Sequence, residues 1–490
     1  RVLLSSAPLP PGLVQGLFRA YLAGREEYQR HRGRPGEPLA VCCAWFDEFD
    51  ARSSEHNDGT HYLDAHRQFV DQRLAQLAKA EVRRRAVIKL LPIAAGQPRD
   101  AICVELAGQM REHLHVLHRQ HCDTDPKTGK RASFGLIRMA NIDPLFDVAR
   151  ELFRLGAEAN CRVHLCVYHS RHPMLVRAAI ERELDATLKR GTPEAVFNRP
   201  SIRQCLDAEP EADHIFVVLA TAVAEVGRDH DYDWAIVEPS SMRSFIQLAG
   251  RVRRHRLWVC PEDQPNIYLL DTNIAHLVEG GDKPAFLRPG FESATFKLNT
   301  HRLMELLKPE QWQVINAAAR IKERESLTPH DNLVDLEHDR LRDLMLGAEV
   351  GQVQKDDPVH RWWTTCAHLS GHLQRRKPFR QDSQGRLHYT LLPIDESELS
   401  FFRLSDDSEP TDLGLSPKGL AREIELPTGP RINAWAVPRY LDALRELADV
   451  QEVELRDCAM KYGTIDLPGR KPEQIWRYHE FLGFSRYRGQ

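Results

Sequence analysis

The sequence predicts an α/β protein built on an open parallel sheet with helices on both faces, followed by a helical linker and a small mixed C-terminal domain. Three observations predict it. Up to about residue 275, short apolar runs alternate with longer stretches of helical periodicity, the pattern of parallel strands joined by helical crossovers. Beyond that point the texture becomes linker-like and then helical. At 490 residues the chain exceeds what one hydrophobic core usually supports, so two or three domains are expected.

Taken in order, the strand-like runs are residues 2–5, 39–44, 86–91, 134–139, 163–168, 215–220, 234–237 and 267–270. Helix-like stretches at 13–31, 143–155 and 174–189 lie between them. The alternation implies a sheet of the RecA or Rossmann kind, whose ligands bind beyond the carboxyl ends of the strands, so functional motifs are expected just after strands. Gly280, Gly281 and Asp282, then Arg288, Pro289 and Gly290, read as linker; residues 298–325 and 333–346 read as helix. From about residue 370 the chain is mixed, with a polar stretch at 405–411 and one amphipathic helix near 439–448.

With 42% hydrophobic and 28% charged residues the composition is that of a globular protein and excludes wholesale disorder. The net charge of -3 hides basic clusters at 83–85, 251–256 and 375–377, so a polyanion would be met by patches. Ten cysteines include the pair Cys42 and Cys43 but no Cys-x-x-Cys, which argues against a zinc ribbon or a disulfide framework and for a reducing cytoplasm. No signal peptide and no apolar run near eighteen residues is present, so neither export nor a membrane partner is expected.

The chemistry concentrates in two segments. In the stretch 247–255, Gln247, Arg251 and Arg254 fall at i, i+4 and i+7, which on a helix places an amide and two guanidiniums on one face while Gly250 permits close packing. Guanidiniums stay charged and grip phosphate oxygens bidentately, which suits charge developing on a transferring phosphoryl group. Upstream, Thr221 follows an apolar strand and can donate to a phosphate, Gly227 allows a turn needing positive φ, and Asp229 offers a carboxylate.

In that order and spacing the two segments resemble motifs V and VI of superfamily 2 helicases. At the N-terminus Leu3, Leu4, Ser5, Ser6, Ala7 and Pro8 look like motif III, with Pro8 in place of a threonine and its hydroxyl therefore lost. The stretches 134–141, with Arg138 and Asn141, and 167–171, with His169 and Arg171, are similar to segments around motif IV of the type I CRISPR-associated helicase-nuclease, subtype I-F preferred. The resemblance covers about residues 1–275, and the remainder only by layout.

That resemblance implies the end of a first RecA-like lobe at 1–10, a second RecA-like lobe at 11–275, a helical linker at 276–370 and an accessory domain at 371–490. It implies a motor that uses ATP to move along and unwind single-stranded DNA, recruited by the RNA-guided surveillance complex, while an HD nuclease domain with its divalent metal, outside these residues, cuts. In subtype I-F it also implies association with the spacer integrase. Arg251, Arg254 and Gln247 would be catalytic; Gly227, Asp229 and Gly250 would face the nucleotide. Thr221, Arg138, Asn141, His169 and Arg171 would contact DNA, and Ser6 and Ala7 would couple turnover to movement. ATP with Mg2+ would be held mainly by the first lobe, so this chain alone is expected to hydrolyse ATP negligibly.

Several look-alikes read better as ordinary structure. No Gly-x-x-x-x-Gly-Lys-Ser/Thr occurs, and Thr128, Gly129, Lys130 and Arg131 read as a surface turn. Asp47, Glu48, Phe49 and Asp50 mimic a magnesium-binding box in the wrong order relative to motif III. The pairs His230–Asp231 and His338–Asp339 lack companion ligands, so no metal site is assigned. The pair Trp362 and Trp363 reads as core rather than as a base-stacking platform. Two other functions stay open: an RNA helicase, because phosphate contacts do not choose between sugars, and a non-catalytic RecA-like scaffold for a protein partner.

Overall fold

The computed structural model describes residues 2–4, 9–34, 36–225, 227–347, 385–395, 397–405, 408–469 and 474–487. Ser6, Ala7 and Pro8, the pair Trp362 and Trp363 and the basic cluster 375–377 lie outside the described residues. The chain divides into two compact units: Arg1–Val82 with Ser240–Ile246 and Pro284–Gln381, and Arg83–Pro239 with Gln247–Lys283 and Asp382–Gln490. The middle segment of the second unit ends at Lys283. Residues 11–82 group with the segment after 284, and the C-terminal region groups with the parallel sheet.

In the first unit α1 (Pro11–Arg32) precedes a hairpin of β1 (Val41–Phe46) and β2 (Ala51–His56), followed by α2 (Gly59–Leu77). The run at 39–44 is thus an antiparallel strand and not part of the parallel sheet. Turn chemistry decides it: the Asp47 carboxylate accepts from the amides of Phe49 at 2.7 Å and Asp50 at 2.8 Å, reversing the chain at once. The acidic box is a hairpin turn. Asp58 caps α2, accepting from Thr60 and His61 amides at 2.8 and 3.0 Å. Phe18 stacks on Tyr62 at 4.1 Å to form a small core with Val41.

Elsewhere in this unit the predicted helix over 298–325 breaks into single turns at Leu303–Leu306, Pro309–Trp312 and Ala318–Ile321. Pro309 forces Lys308 out of helical backbone, and the Asn316 side chain accepts from the Ala318 amide at 2.8 Å, starting a new turn. The second predicted helix forms over Leu333–Leu346, capped by Asn332.

The second unit carries β3 (Ala86–Lys89), α3 (Arg99–His121), β4 (Asp123–Thr124), β5 (Arg131–Arg138), α4 (Ile142–Leu155), β6 (Cys161–Tyr168) and α5 (Met174–Leu188). It continues with α6 (Pro200–Ala208), β7 (Asp213–Ala220), β8 (Trp234–Val237), the end of α7 (Met242–Ala249), β9 (Ile267–Leu270) and α8 (Ile274–Glu279). Then come β10 (Arg386–Pro393), β11 (Leu399–Ser405), β12 (Ser408–Asp412), β13 (Ala421–Glu423), β14 (Ile432–Ala434), β15 (Thr464–Pro468), β16 (Trp476–His479) and β17 (Gly483–Arg486).

The main sheet runs β14-β6-β7-β5-β8-β9-β3, all parallel, with β4 antiparallel on β5. One face of alternate residues, including Ile137, Leu165, Val217 and Ile236, packs against α3, α4 and α8; each such side chain contributes about 1.5–3 kcal/mol by leaving water. On the other face Phe134 stacks on Phe216, and Tyr168 donates to Glu181 of α5 at 2.9 Å. Gly135 lies opposite Trp234, where a Cβ would come within 2.1 Å of the indole, so this mid-strand position has room only for glycine.

The edge strand β14 was not legible, being three residues without a pattern. It is pinned by Arg431, which donates to the Glu158 and Ala157 carbonyls at 3.0 and 3.1 Å. The C-terminal region adds two small sheets, β12-β11-β10-β15 and β13-β16-β17, and the helix Tyr440–Gln451 matches the predicted amphipathic stretch. No helix among the described residues is long and apolar enough to cross a membrane.

Candidate functional site

Two loops of the second unit build the site. The first leaves β7 at Thr221, makes a 3-10 turn at Ala222–Ala224 and passes Glu225 to Gly227, whose φ of +72 is the left-handed conformation that its sequence position anticipated. Thr221 is buried, and its amide already donates to the Tyr168 carbonyl at 3.4 Å. Only its hydroxyl is left for a phosphate. Asp229 is exposed further along the loop.

The second loop follows α7, which stops at Ala249. Gln247, Arg251 and Arg254 therefore do not share a helix face, contrary to expectation. The helix loses to a competing pattern: Tyr232 donates to the Arg251 carbonyl at 2.8 Å and accepts from the Arg253 amide at 2.9 Å, making a parallel bridge with Val252. Arg253 sits at φ +47. Buried Asp231 then accepts from the Arg254 amide at 2.9 Å and takes the Arg256 guanidinium through two bonds of 2.9 and 3.0 Å.

The loop nonetheless joins the two segments. Arg251 donates to the Glu225 carbonyl at 3.0 Å, and Arg254 donates to Asp229 at 2.6 Å and to the Gly250 carbonyl at 3.3 Å. His255 completes the cluster at 2.9 Å from Asp229. Gln247 is half-buried near the helix end. Burial, and then the neighbouring Arg254, lowers the Arg251 pKa, and its Nε is buried without a partner. The cluster lies beside the entry to β8 and not beyond the carboxyl end of that strand.

Beneath it Arg190, Arg253 and Arg256 meet Asp123 and Asp233. Burial alone would raise the Asp233 carboxyl, but Arg190, Arg256 and Arg253 drive it far below the usual carboxylate range. A fixed electrostatic floor supports the loop.

The remaining residues singled out for nucleic acid fare differently. Arg138 is fully buried, pairs with Glu225 at 2.6 Å and donates to the Glu238 carbonyl at 2.7 Å. Buried His169 donates or accepts only within the fold, at 2.8 Å from the Leu482 carbonyl and 3.1 Å from the Arg171 amide. Arg171 pairs with Asp143 and lies over the Trp476 ring, while its carbonyl accepts from Phe484 at 2.9 Å. These three are corrected to structural roles, because their polar groups are used by β16, β17 and neighbouring carboxylates. Asn141, ahead of α4, is exposed and makes no capping bond.

The look-alikes resolve as structure. Lys130 donates to the Leu206 carbonyl in the turn before β5, His230 bonds Asp185 and His338 bonds the Ala319 carbonyl. Among the described residues no group of three or more His, Cys, Asp or Glu is placed to hold a metal. Sequence reasoning missed Arg84, which reaches the second loop by donating to the Val252 carbonyl at 2.9 Å; its only signal was membership of a basic cluster.

A family model described as CRISPR-associated nuclease/helicase Cas3, C-terminal, matches residues 131–257, which contain both loops. A second, described as Cas3 subtype I-F/YPEST-like C-terminal domain, matches residues 391–486. The CRISPR-associated nuclease/helicase Cas3 subtype I-F/YPEST of Pseudomonas aeruginosa strain UCBPP-PA14 is 50% identical over 99% of this chain and 44% of its own length. The chain belongs to the Cas3 subtype I-F/YPEST family. The Cas3 protein of Pectobacterium atrosepticum, of the same subtype, is 41% identical over 99% of the chain and 43% of its own length. The chain thus spans less than half the length of these Cas3 relatives. Crystalline T. fusca Cas3 aligns with 70% of this chain and 34% of its own at 17% identity, with a TM-score of 0.34.

Proposed function

We propose that these residues supply the second motor lobe and C-terminal region of a Cas3 helicase-nuclease that uses ATP to translocate on and unwind target DNA in antiviral defence. One observation carries the reading. Arg251 and Arg254 are brought onto the loop of Gly227 and Asp229 with guanidinium nitrogens to spare, and the Arg251 Nε is buried without a partner. Two guanidiniums brought to one loop beside a single exposed carboxylate, Asp229, fit an anionic ligand.

Bound ATP with Mg2+ supplies the transferable phosphoryl group and its counter-charge. The residues here do the rest from one side: Arg251 and Arg254 stabilise negative charge developing on that group, Asp229 and His255 hold Arg254 in place, and Gly227 and Gly250 let the two loops approach. The groups that grip the β- and γ-phosphates and magnesium are assigned to the length of the relatives that this chain does not span, as is the metal-dependent nuclease. Turnover by the chain alone is therefore negligible. The Thr221 hydroxyl and the exposed Asn141 would contact DNA. Single-stranded DNA, the RNA-guided surveillance complex and the integrase of the I-F system are the partners, in the cytoplasm.

Arginine fingers contribute about 10³–10⁵ in rate. Arg254→Ala in the full-length polypeptide should accordingly cut single-strand-stimulated ATP hydrolysis by about a thousandfold. Its melting temperature should hold, because the pair with Asp229 is at the surface. Retained turnover would refute the assignment, and stimulation by RNA oligonucleotides in preference to DNA would redirect it.

A further inference from the structure

Three consecutive arginines precede β3, and the chain on either side of Arg84 is tied to the fold. Arg85 donates to the Cys260 carbonyl at 3.1 Å and pairs with Glu262 at 3.1 Å; the Arg83 carbonyl accepts from Asn266 at 2.9 Å. Arg84 turns instead to the arginine loop. Its Nε donates to the carbonyl of Val252, the residue between Arg251 and Arg253. The N–H of that same peptide, Arg253's, donates to the Tyr232 carbonyl at 2.9 Å, so Arg84 ties down its other side. A change there would swing Arg251 and Arg254 together.

The charge on Arg84 is left uncompensated. Among the described residues no carboxylate lies within 4.0 Å of its guanidinium, and the acid that acts on it, Asp231, is paired with Arg256. Burial, then Arg83 and Arg254, pulls the Arg84 pKa down to about 10, with Asp231 opposing. Three guanidiniums with one exposed carboxylate make a surplus positive field, complementary to a multiply charged anion.

We infer that Arg84 is a positioning residue of the arginine site: it clamps the Val252 carbonyl so that Arg251 and Arg254 keep their aim, and its unpaired charge adds to the positive field that meets charge developing on the transferring phosphoryl group. The inference rests on the ATPase reading above. Arg84 acts through the two other arginines, so its loss affects the chemical step more than ATP affinity.

The test uses the full-length polypeptide with ATP and single-stranded DNA, with Arg254→Ala run alongside. Arg84→Ala is expected to lower kcat by about tenfold, the size of one lost hydrogen bond from a charged group, with KM for ATP changed by less than about twofold. Arg84→Lys, which keeps the charge and a donor, should recover most of that loss. If the alanine variant melts early, Arg84→Met keeps the apolar stem and carries the same expectation. Wild-type kcat in the alanine or methionine variant, while Arg254→Ala is dead, overturns the role of Arg84 and leaves the ATPase reading standing. A lysine variant as defective as alanine overturns the assignment to charge. Full turnover in Arg254→Ala removes both.

Discussion

The ends of β5 and β6 and the loop after α7 look alike in sequence, each a basic or polar cluster beside an apolar run, yet they are spent in opposite ways. At the strand ends every cation has an internal counterpart: Arg138 has Glu225, Arg171 has Asp143, and Asp143 also accepts from the Arg486 amide at 3.0 Å. In the arginine loop the acids are outnumbered, with Asp229 the one exposed carboxylate beside Arg251 and Arg254. The difference teaches that a basic residue after a strand is a ligand contact only when the fold leaves it a free donor. Burial with a matched carboxylate makes it a structural tie.

The largest expected effect tests the buried end of that comparison. Arg138→Met removes the partner of Glu225, whose side chain is 2% exposed, and the donor to the Glu238 carbonyl. Breaking a buried ion pair by removing one partner typically costs about 3–5 kcal/mol. Denaturant unfolding of the variant should show a loss of that order, against almost none for Arg254→Ala. A loss below about 1 kcal/mol would mean that Arg138 is not a tie, and would reopen it as a nucleic-acid contact.

A second test sharpens the comparison through pH. Buried His172 stacks on His169 at 4.7 Å, and burial pulls its pKa down to about 4. An unfolded histidine titrates near 6.5, so between those values the unfolded state binds the extra proton. Stability therefore falls as pH drops from 6.5 towards 4, by up to roughly 3 kcal/mol for this ring. His172→Phe should lose less stability than the parent between pH 7 and 5 in denaturant titrations. An unchanged pH slope would mean that the His172 ring is not held neutral by burial in the folded state.

How much of this was legible follows the range of each interaction. The strands β5, β6, β7, β8 and β9 were placed within two or three residues because a buried parallel strand writes its pattern locally. The partnership of the segments at 221–229 and 247–255 was legible from order and spacing. What escaped depended on distant chain. His169 is held by Leu482, and Arg162 of β6 reaches Asn433 at 3.3 Å; no local pattern carries a carbonyl three hundred residues away. The helix end at Ala249 was missed for the same reason, since the bridge from Tyr232 overrides a helical periodicity that looked continuous. The hairpin at 41–56 was misassigned because an apolar run alone does not distinguish a parallel strand from an antiparallel one.

The smallest expected effect is at Asn141, where the two regions of the comparison overlap: it follows β5, like Arg138, but faces solvent with its side chain uncommitted. An N-cap asparagine ordinarily stabilises its helix by about 1 kcal/mol through a bond to the backbone, and here that bond is absent. Asn141→Ala should therefore change unfolding stability by less than about 0.5 kcal/mol. If the free amide meets a DNA phosphate, its removal costs one neutral hydrogen bond, about 0.5–1.5 kcal/mol, or roughly a threefold to tenfold weakening of single-strand affinity. Fluorescence anisotropy of a labelled oligonucleotide with the full-length polypeptide reads this directly. Unchanged affinity would leave the Thr221 hydroxyl as the sole survivor of the five residues assigned to nucleic acid, whereas a stability loss near 1 kcal/mol would move Asn141 to the structural side with Arg138.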